Sequence, residues 1–390
     1  MPLAWRVLRD RPRDWRRADR YRVADPAFRP LTVGSWYSAA AWPAICRELY
    51  ARIWAQVGTL PLMRLRGRIA GLIAGAAMTG GVVACAPQVA PQAPPLPPPA
   101  AAAGVGTRVP APPSPSRPVA SPAIRPAIRV TGAPGGVKAR GAVLADAATG
   151  QVLWGRDVNT RLPMASVTKV MTALLVLNGG DLGREIKVPK AAVIYAWKYG
   201  GETAALRPRD VLTARELLEA LLLPSGADAA YTLANAYGPG LDAFVARMNA
   251  TAAQLGMAHT HFTSPDGLPY PTETSTYSTP SDLLRLGLAA MRYPALRSIV
   301  DRSFYHLAKG PGHHSYWWDN TDDLIGSYRG AAGIKDGYTD DAGHCLLFEA
   351  VRNGRVLIGV VLHSPATGPA AGAQDAARML NWGFRLRRSG

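Results

Sequence analysis

The sequence predicts an α+β domain over residues 136–390. Two observations carry that prediction: strand patterns stand at both ends of the stretch, and the region between them follows helical spacing. At the front, Ala142–Asp146 and Gln151–Trp154 flank Ala147-Ala148-Thr149-Gly150, which reads as a hairpin. Val167, Val170, Met171, Leu174 and Leu175 share a helical face, and Gly179-Gly180 ends that helix. A second helix runs from Arg215 to Leu223 and stops at Pro224, another covers 228–237, and a further one covers 242–255, closed by Gly256. Near the end, Cys345–Ala350 and Arg355–Leu362 are strands joined across Asn353-Gly354, a dipeptide suited to two consecutive positive φ values. A final helix spans Gln374–Phe384. The stretch is about the size one domain reaches.

The chain carries a formal charge of +17, which raises the question of a nucleic-acid partner. The charge is unevenly placed. Residues 1–135 hold 18 Lys and Arg against 5 Asp and Glu, whereas residues 136–390 hold 26 against 22. The folded part is therefore almost balanced and lacks a basic stripe interleaved with aromatics, so nucleic acid is not an expected partner. Cys46, Cys85 and Cys345 lie in three separate regions without paired spacing, which argues against a disulfide framework or a zinc site.

The first 135 residues divide into three. Residues 1–62 are rich in Arg and Trp without sustained periodicity, and read as an extension arising from an upstream start choice or as a genuine cytoplasmic tail. Residues 63–85 join a basic segment, Met63–Arg68, to an apolar run from Ile69 to Ala84, the layout of a secretory signal. The run is shorter than the roughly 20 apolar residues a spanning helix needs. It ends in Val82-Val83-Ala84-Cys85, which resembles a bacterial lipobox and marks Cys85 for lipidation; a plain cleaved signal and an uncleaved anchor are the alternatives. Residues 86–135 contain fifteen prolines with no acidic or aromatic residue, and are expected to form an extended, semi-rigid spacer.

Three short segments carry candidate chemistry. In Pro163–Lys169, Ser166 and Lys169 are three apart at the start of a helix and so share a face. A serine hydroxyl needs a neighbouring base. A lysine serves as that base where burial or a second cation keeps it neutral. The helix it opens is apolar over most of its circumference, so its start points into the core rather than to solvent. In Pro224–Asp228, Ser225 sits at a tight corner between helices, where it either caps a helix or relays a proton. In Gly333–Thr339, Lys335 either guards an edge strand or receives a carboxylate, and Gly337 lets a peptide backbone approach the strand.

Ser-x-x-Lys, then Ser-Gly-x, then Lys-x-Gly is the motif order of penicillin-binding serine enzymes. The flanking stretches Pro163–Thr172, Leu223–Ala230, His261–Leu268 and Gly333–Gly343 resemble D-alanyl-D-alanine carboxypeptidases of low molecular mass over about residues 138–385. The resemblance implies a β-lactamase/DD-peptidase-like fold, a five-stranded antiparallel sheet packed with helices plus a helical subdomain. It implies that Ser166 is acylated, that Lys169 is its base, and that Ser225 links the lysines to the leaving group. Lys335 would bind the substrate carboxylate, and the backbone N–H groups of Ser166 and Tyr338 would form the oxyanion hole. No cofactor is implied. The implied substrate is a peptidoglycan stem peptide, with β-lactams as inhibitors, and the implied place is outside the cytoplasm, tethered to a bacterial membrane by a spacer that reaches into the cell wall.

Two positions depart from that pattern. Ala227 stands where an asparagine normally orients the lysine, so a polar atom is expected to lose its partner. Asp336 stands where a threonine hydroxyl normally donates to the substrate carboxylate, and an ionised Asp336 would repel it unless it turns away or pairs with a cation. Two other functions compete: a non-catalytic peptidoglycan binder, and a serine β-lactamase. The latter needs a glutamate between the second and third motifs. Glu273 is the only one there, and it lacks the Glu-x-x-Leu-Asn context. The pairs Asp322-Asp323 and Asp340-Asp341 read as solvated loops, His313-His314 as a surface loop, and Cys345 as core.

Overall fold

The computed structural model describes residues 123–126, 132–365, 368 and 370–386. The extension 1–62, the signal region 63–85 with Cys85, and most of the spacer lie outside the described residues. Strands β1 (Gly141–Asp146) and β2 (Gln151–Arg156) form the front hairpin, followed by the two-residue β3 (Leu162–Pro163). Helix α1 (Lys169–Gly179) comes next. It is followed by β4 (Glu185–Lys187), α2 (Lys190–Lys198), β5 (Val211–Thr213), α3 (Ala214–Leu222), α4 (Ala227–Tyr237) and α5 (Leu241–Gln254). After β6 (Tyr277–Ser278) come α6 (Pro280–Ala290), α7 (Pro294–Val300), and the pair β7 (Phe304–Leu307) and β8 (Tyr316–Asp319). The chain closes with β9 (Ala331–Thr339), β10 (Gly343–Arg352), β11 (Arg355–Ser364) and α8 (Ala371–Arg385).

The main sheet has five strands in the order β2-β1-β11-β10-β9, with every pairing antiparallel. Its two ends come from opposite ends of the domain sequence, as the strand patterns predict. Asn353 and Gly354 take φ of 50° and 70°, the double positive value that their turn requires. Both faces of the sheet are covered, which explains why its central strands read as continuous apolar runs. Val143, Leu347, Ile358 and Val360 face the helical core with α1. Leu144, Phe348, Leu357 and Val361 face α8 through Ala376, Met379, Leu380 and Trp382.

Helix α1 is buried at every residue from Lys169 to Leu177, so nothing on it is solvated except its last turn. Lysine at its first position is therefore a core residue. Thr213 and Glu216 start α3 with reciprocal side-chain to backbone bonds, a capping box the sequence reading did not use. The predicted spacer ends earlier than residue 135. Arg125 donates its N–H to the Gly150 carbonyl at 2.9 Å and bridges Gln151, so residues 123–126 lie against β2.

Asp322 corrects the expectation of a solvated loop. It is 3% exposed, its Oδ1 accepts from the Leu324 N–H at 2.9 Å, and Leu324 is packed under α8. Burying Leu324 carries the aspartate in with it. Asp340 and Asp341 are exposed, as is His314, which pairs with Asp210 at 3.0 Å. Cys345 is buried and its thiol is pushed up to about 12 by burial, so it is core, as expected.

Candidate active site

Ser166 lies in a 3-10 turn, Ala165–Thr168, that leads directly into α1. Ala165 holds φ at 47°, a left-handed value that costs a non-glycine residue about 1 kcal/mol or more and turns the serine towards the sheet. Two glycines let neighbouring segments close on this turn. A Cβ on Gly337 of β9 would stand 2.7 Å from the Ser166 nitrogen and 3.1 Å from that of Val167. A Cβ on Gly267, whose φ is +84°, would stand 2.0 Å from the Ala165 carbonyl oxygen. Only glycine allows both approaches, and together they wedge the serine turn between β9 and the 264–268 loop.

Lys169 Nζ lies 2.8 Å from Ser166 Oγ and 3.1 Å from the backbone carbonyl of Asp266. The lysine side chain is wholly buried, and its amine is lowered to about 8. Burial is the largest cause, and the Lys335 cation adds to it, while Asp266, Asp336 and Glu202 push the other way. A lysine with that value is neutral in an appreciable fraction near neutral pH, which is what a general base for the serine needs.

The second and third segments meet each other through Thr321. Its N–H donates to the Leu223 carbonyl at 3.0 Å, and its hydroxyl donates to Asp336 Oδ1 at 2.7 Å while accepting from Lys335 Nζ at 3.2 Å. Ser225 follows Leu223 by two residues, is buried, and holds φ at 63° in the corner between α3 and α4. On β9, pairing puts Lys335 opposite Leu347 and Gly337 opposite Cys345, on the face that carries Ser166, and Asp336 opposite Leu346 on the other. Asp336 nevertheless turns back round the sheet edge to contact Lys335 Nζ. Burial raises the Asp336 carboxyl, but Lys335 and Thr321 outweigh it and hold it below the usual range. Of the alternatives for Asp336, pairing with a cation is the one realised. Tyr338 is exposed beside these residues.

Ala227 is fully buried at the start of α4, and Asp228 beside it bonds the Ala204 and Leu206 amides at 3.0 Å each, fixing the 203–206 loop. Lys169 itself keeps two partners despite the missing amide. Among the described residues, the buried polar side-chain atoms without a hydrogen-bond partner include Thr168 Oγ1, next to Lys169 in sequence, and Asp266 Oδ2, on a residue that is 0% exposed. Glu273 is exposed in the 271–276 loop. Sequence reasoning missed Thr321 and the role of Asp266, since neither belongs to a periodic pattern and each acts across the fold.

The family profile described as D-alanyl-D-alanine carboxypeptidase matches residues 128–366. The chain is 38% identical over 250 residues to a D-alanyl-D-alanine carboxypeptidase of Streptomyces sp. (strain K15), covering 61% of this chain and 84% of that one. It is 38% identical over 246 residues to one of Mycobacterium tuberculosis, covering 63% and 81%. The crystal structure of the Streptomyces K15 DD-transpeptidase superposes with a TM-score of 0.60 at 36% identity, over 64% of this chain and 98% of that one. A matching profile over more than half its length, relatives of this identity and the shared sheet architecture establish that the chain belongs to the D-alanyl-D-alanine carboxypeptidase family.

Proposed function

We propose that the chain, a serine-type D-alanyl-D-alanine carboxypeptidase by family, releases the terminal D-alanine of peptidoglycan stem peptides through an acyl-enzyme on Ser166. The observation that carries this is the 2.8 Å contact between Ser166 Oγ and a fully buried Lys169 amine. Neutral Lys169 takes the serine proton as Oγ forms a bond to the penultimate D-alanine carbonyl carbon. The N–H groups of Ser166 and Tyr338 receive the developing oxyanion, beside the Gly337 approach described above. Lys335 binds the terminal carboxylate. As the C–N bond breaks, Ser225 passes a proton to the departing amine, and water then cleaves the ester with Lys169 again taking a proton. A β-lactam acylates the same oxygen and stays because its ester hydrolyses slowly.

Export and anchoring are part of the same reading. The basic segment and apolar run of residues 63–85 direct secretion, lipid on Cys85 holds the enzyme at the membrane, and the proline-rich spacer lets it reach the wall from the extracytoplasmic side. A second reading, a peptidoglycan binder with weak turnover, is favoured by one observation, the contact of Asp336 with Lys335.

The test is labelling of the purified protein and its Ser166→Ala variant with fluorescent penicillin, with circular dichroism to verify folding. A labelled band lost in the variant, with D-alanine release from a D-Ala-D-Ala peptide, is the expected result. No adduct on the folded protein would remove Ser166 as nucleophile, and an adduct without D-alanine release would favour the binder.

A further inference from the structure

Asp266 is a buried carboxylate that the mechanism above does not use. It stands in the 264–268 loop, which Gly267 presses onto the Ser166 turn and which Thr172 of α1 holds by donating its hydroxyl to the Pro265 carbonyl at 2.5 Å. Its backbone oxygen accepts from Lys169 Nζ across 97 residues of sequence. Its Oδ1 accepts from the Leu268 N–H at 3.1 Å and from the Tyr195 hydroxyl at 3.3 Å, while Oδ2 has no hydrogen-bond partner among the described residues. A buried, half-satisfied carboxylate is costly to a fold, and one retained beside a base acts on that base electrically.

The position of this group answers a question raised by Ala227. With a methyl group where an amide side chain would orient the lysine, the acceptor for Lys169 has to come from elsewhere. We propose that Asp266 is the positioning residue of this site: its carbonyl fixes Lys169 Nζ against Ser166 Oγ, and its carboxylate sets the basicity of Lys169 and stabilises the ammonium formed when the serine proton arrives. This inference rests on Lys169 being the base for Ser166.

The charges facing Lys169 come from three elements: Asp266 from its loop, Glu202 from the segment after α2, and Lys335 with Asp336 from β9. Asp266 is the strongest of them and opposes the effect of burial. Neutralising it leaves burial and Lys335 less opposed, so Lys169 loses its proton at lower pH and becomes a weaker base.

The experiment is the pH dependence of the acylation rate with benzylpenicillin for the full chain, its Asp266→Asn variant and its Tyr195→Phe variant. Asp266→Asn keeps the shape, the backbone carbonyl and an acceptor for Leu268. Its acid limb is expected to move down by about 1 pH unit or more, the size of shift that loss of one nearby opposite charge produces, with a lower plateau. Tyr195→Phe removes a hydrogen bond to the same oxygen but not the charge, and its limb is expected to stay near the parent's. An unmoved limb in Asp266→Asn, or equal movement in both variants, would overturn the proposal, since either result reduces Asp266 to packing. Should Asp266→Asn fail to fold, Asp266→Ser keeps a smaller acceptor and is read in the same way. Absence of acylation in the parent chain would count against Ser166 and Lys169 instead, and so separates the two claims.

Discussion

The ammonium of Lys335 is in contact with the carboxylate of its own sequence neighbour, Asp336, although a strand sends those two side chains to opposite faces. The contact exists because β9 ends the sheet, so Asp336 has room to fold round its edge, and because Thr321 donates to the same oxygen.

That contact partly neutralises the cation proposed to receive the substrate carboxylate, so Asp336→Thr should increase kcat/KM for a diacetyl-Lys-D-Ala-D-Ala peptide. Two unit charges about 4 Å apart interact by roughly 4 kcal/mol at an effective dielectric of ~20. Solvent at the partly exposed aspartate reduces this to about 1–2 kcal/mol, or roughly tenfold in rate. Steady-state hydrolysis at neutral pH checks it, and an unchanged or lower value means that Asp336 serves some other substrate group.

Gly337→Ala should slow acylation by about 100-fold or more while leaving the fold largely intact. The added carbon would stand 2.7 Å from the Ser166 nitrogen, and the turn has to shift to admit it. Losing one aligned oxyanion donor costs about 100-fold or more in rate, whereas overpacking one methyl costs the fold about 1–3 kcal/mol. Stopped-flow labelling beside a melting curve distinguishes the two effects. Undiminished acylation would show that β9 does not close on Ser166 in solution.

Glu219 provides a stability test. It is 1% exposed on α3, and Arg302 Nη1 lies 3.2 Å from its Oε1 without making a hydrogen bond. Burial raises its carboxyl to about 7, with Arg302 and Arg215 opposing. The folded value lies above the unfolded one, so the stability linked to the bound proton is fully present below about pH 4.5 and is lost as pH rises through about 7. Glu219→Gln should therefore be more stable than the parent at pH 8, by about 1–3 kcal/mol, and should show a flatter dependence of melting temperature on pH. A lower melting temperature at pH 8 would mean that the Arg302 pair outweighs burial.

Cys85→Ser should release the protein from the membrane fraction and remove the mass of the attached lipid. Fractionation with mass spectrometry of the mature N-terminus reads both. Equal membrane binding at unshifted mass would leave an uncleaved signal anchor as the tether.

Much of this architecture is written locally. The hairpin across Asn353-Gly354, the stop at Gly179-Gly180 and the apolar helix behind Ser166 each follow from neighbours in sequence, and each stands where expected. Helix α2 was not legible, because it buries only Ala192 and Ala196 and so lacks an apolar stripe. The acidic residues were the least legible. Asp322 and Asp323 look alike in sequence, yet the first is buried with its carboxyl at about 7 by burial and Asp336, because Leu324 belongs to the core. Asp266 and Thr321 acquire their roles only from partners brought in by the fold.

The strap at residues 123–126 has a consequence for self-association. An antiparallel sheet has two free borders, and a protein with both exposed can stack end on end into fibres. Here Arg125 occupies part of the β2 border, so strand addition is directed to the β9 border, four strand spacings away, or about 19 Å. That border is also the one beside Ser166. Removing residues 123–126 would strip the β2 border of its Arg125 backbone contact and leave both borders of the sheet open to pairing with a strand of another molecule.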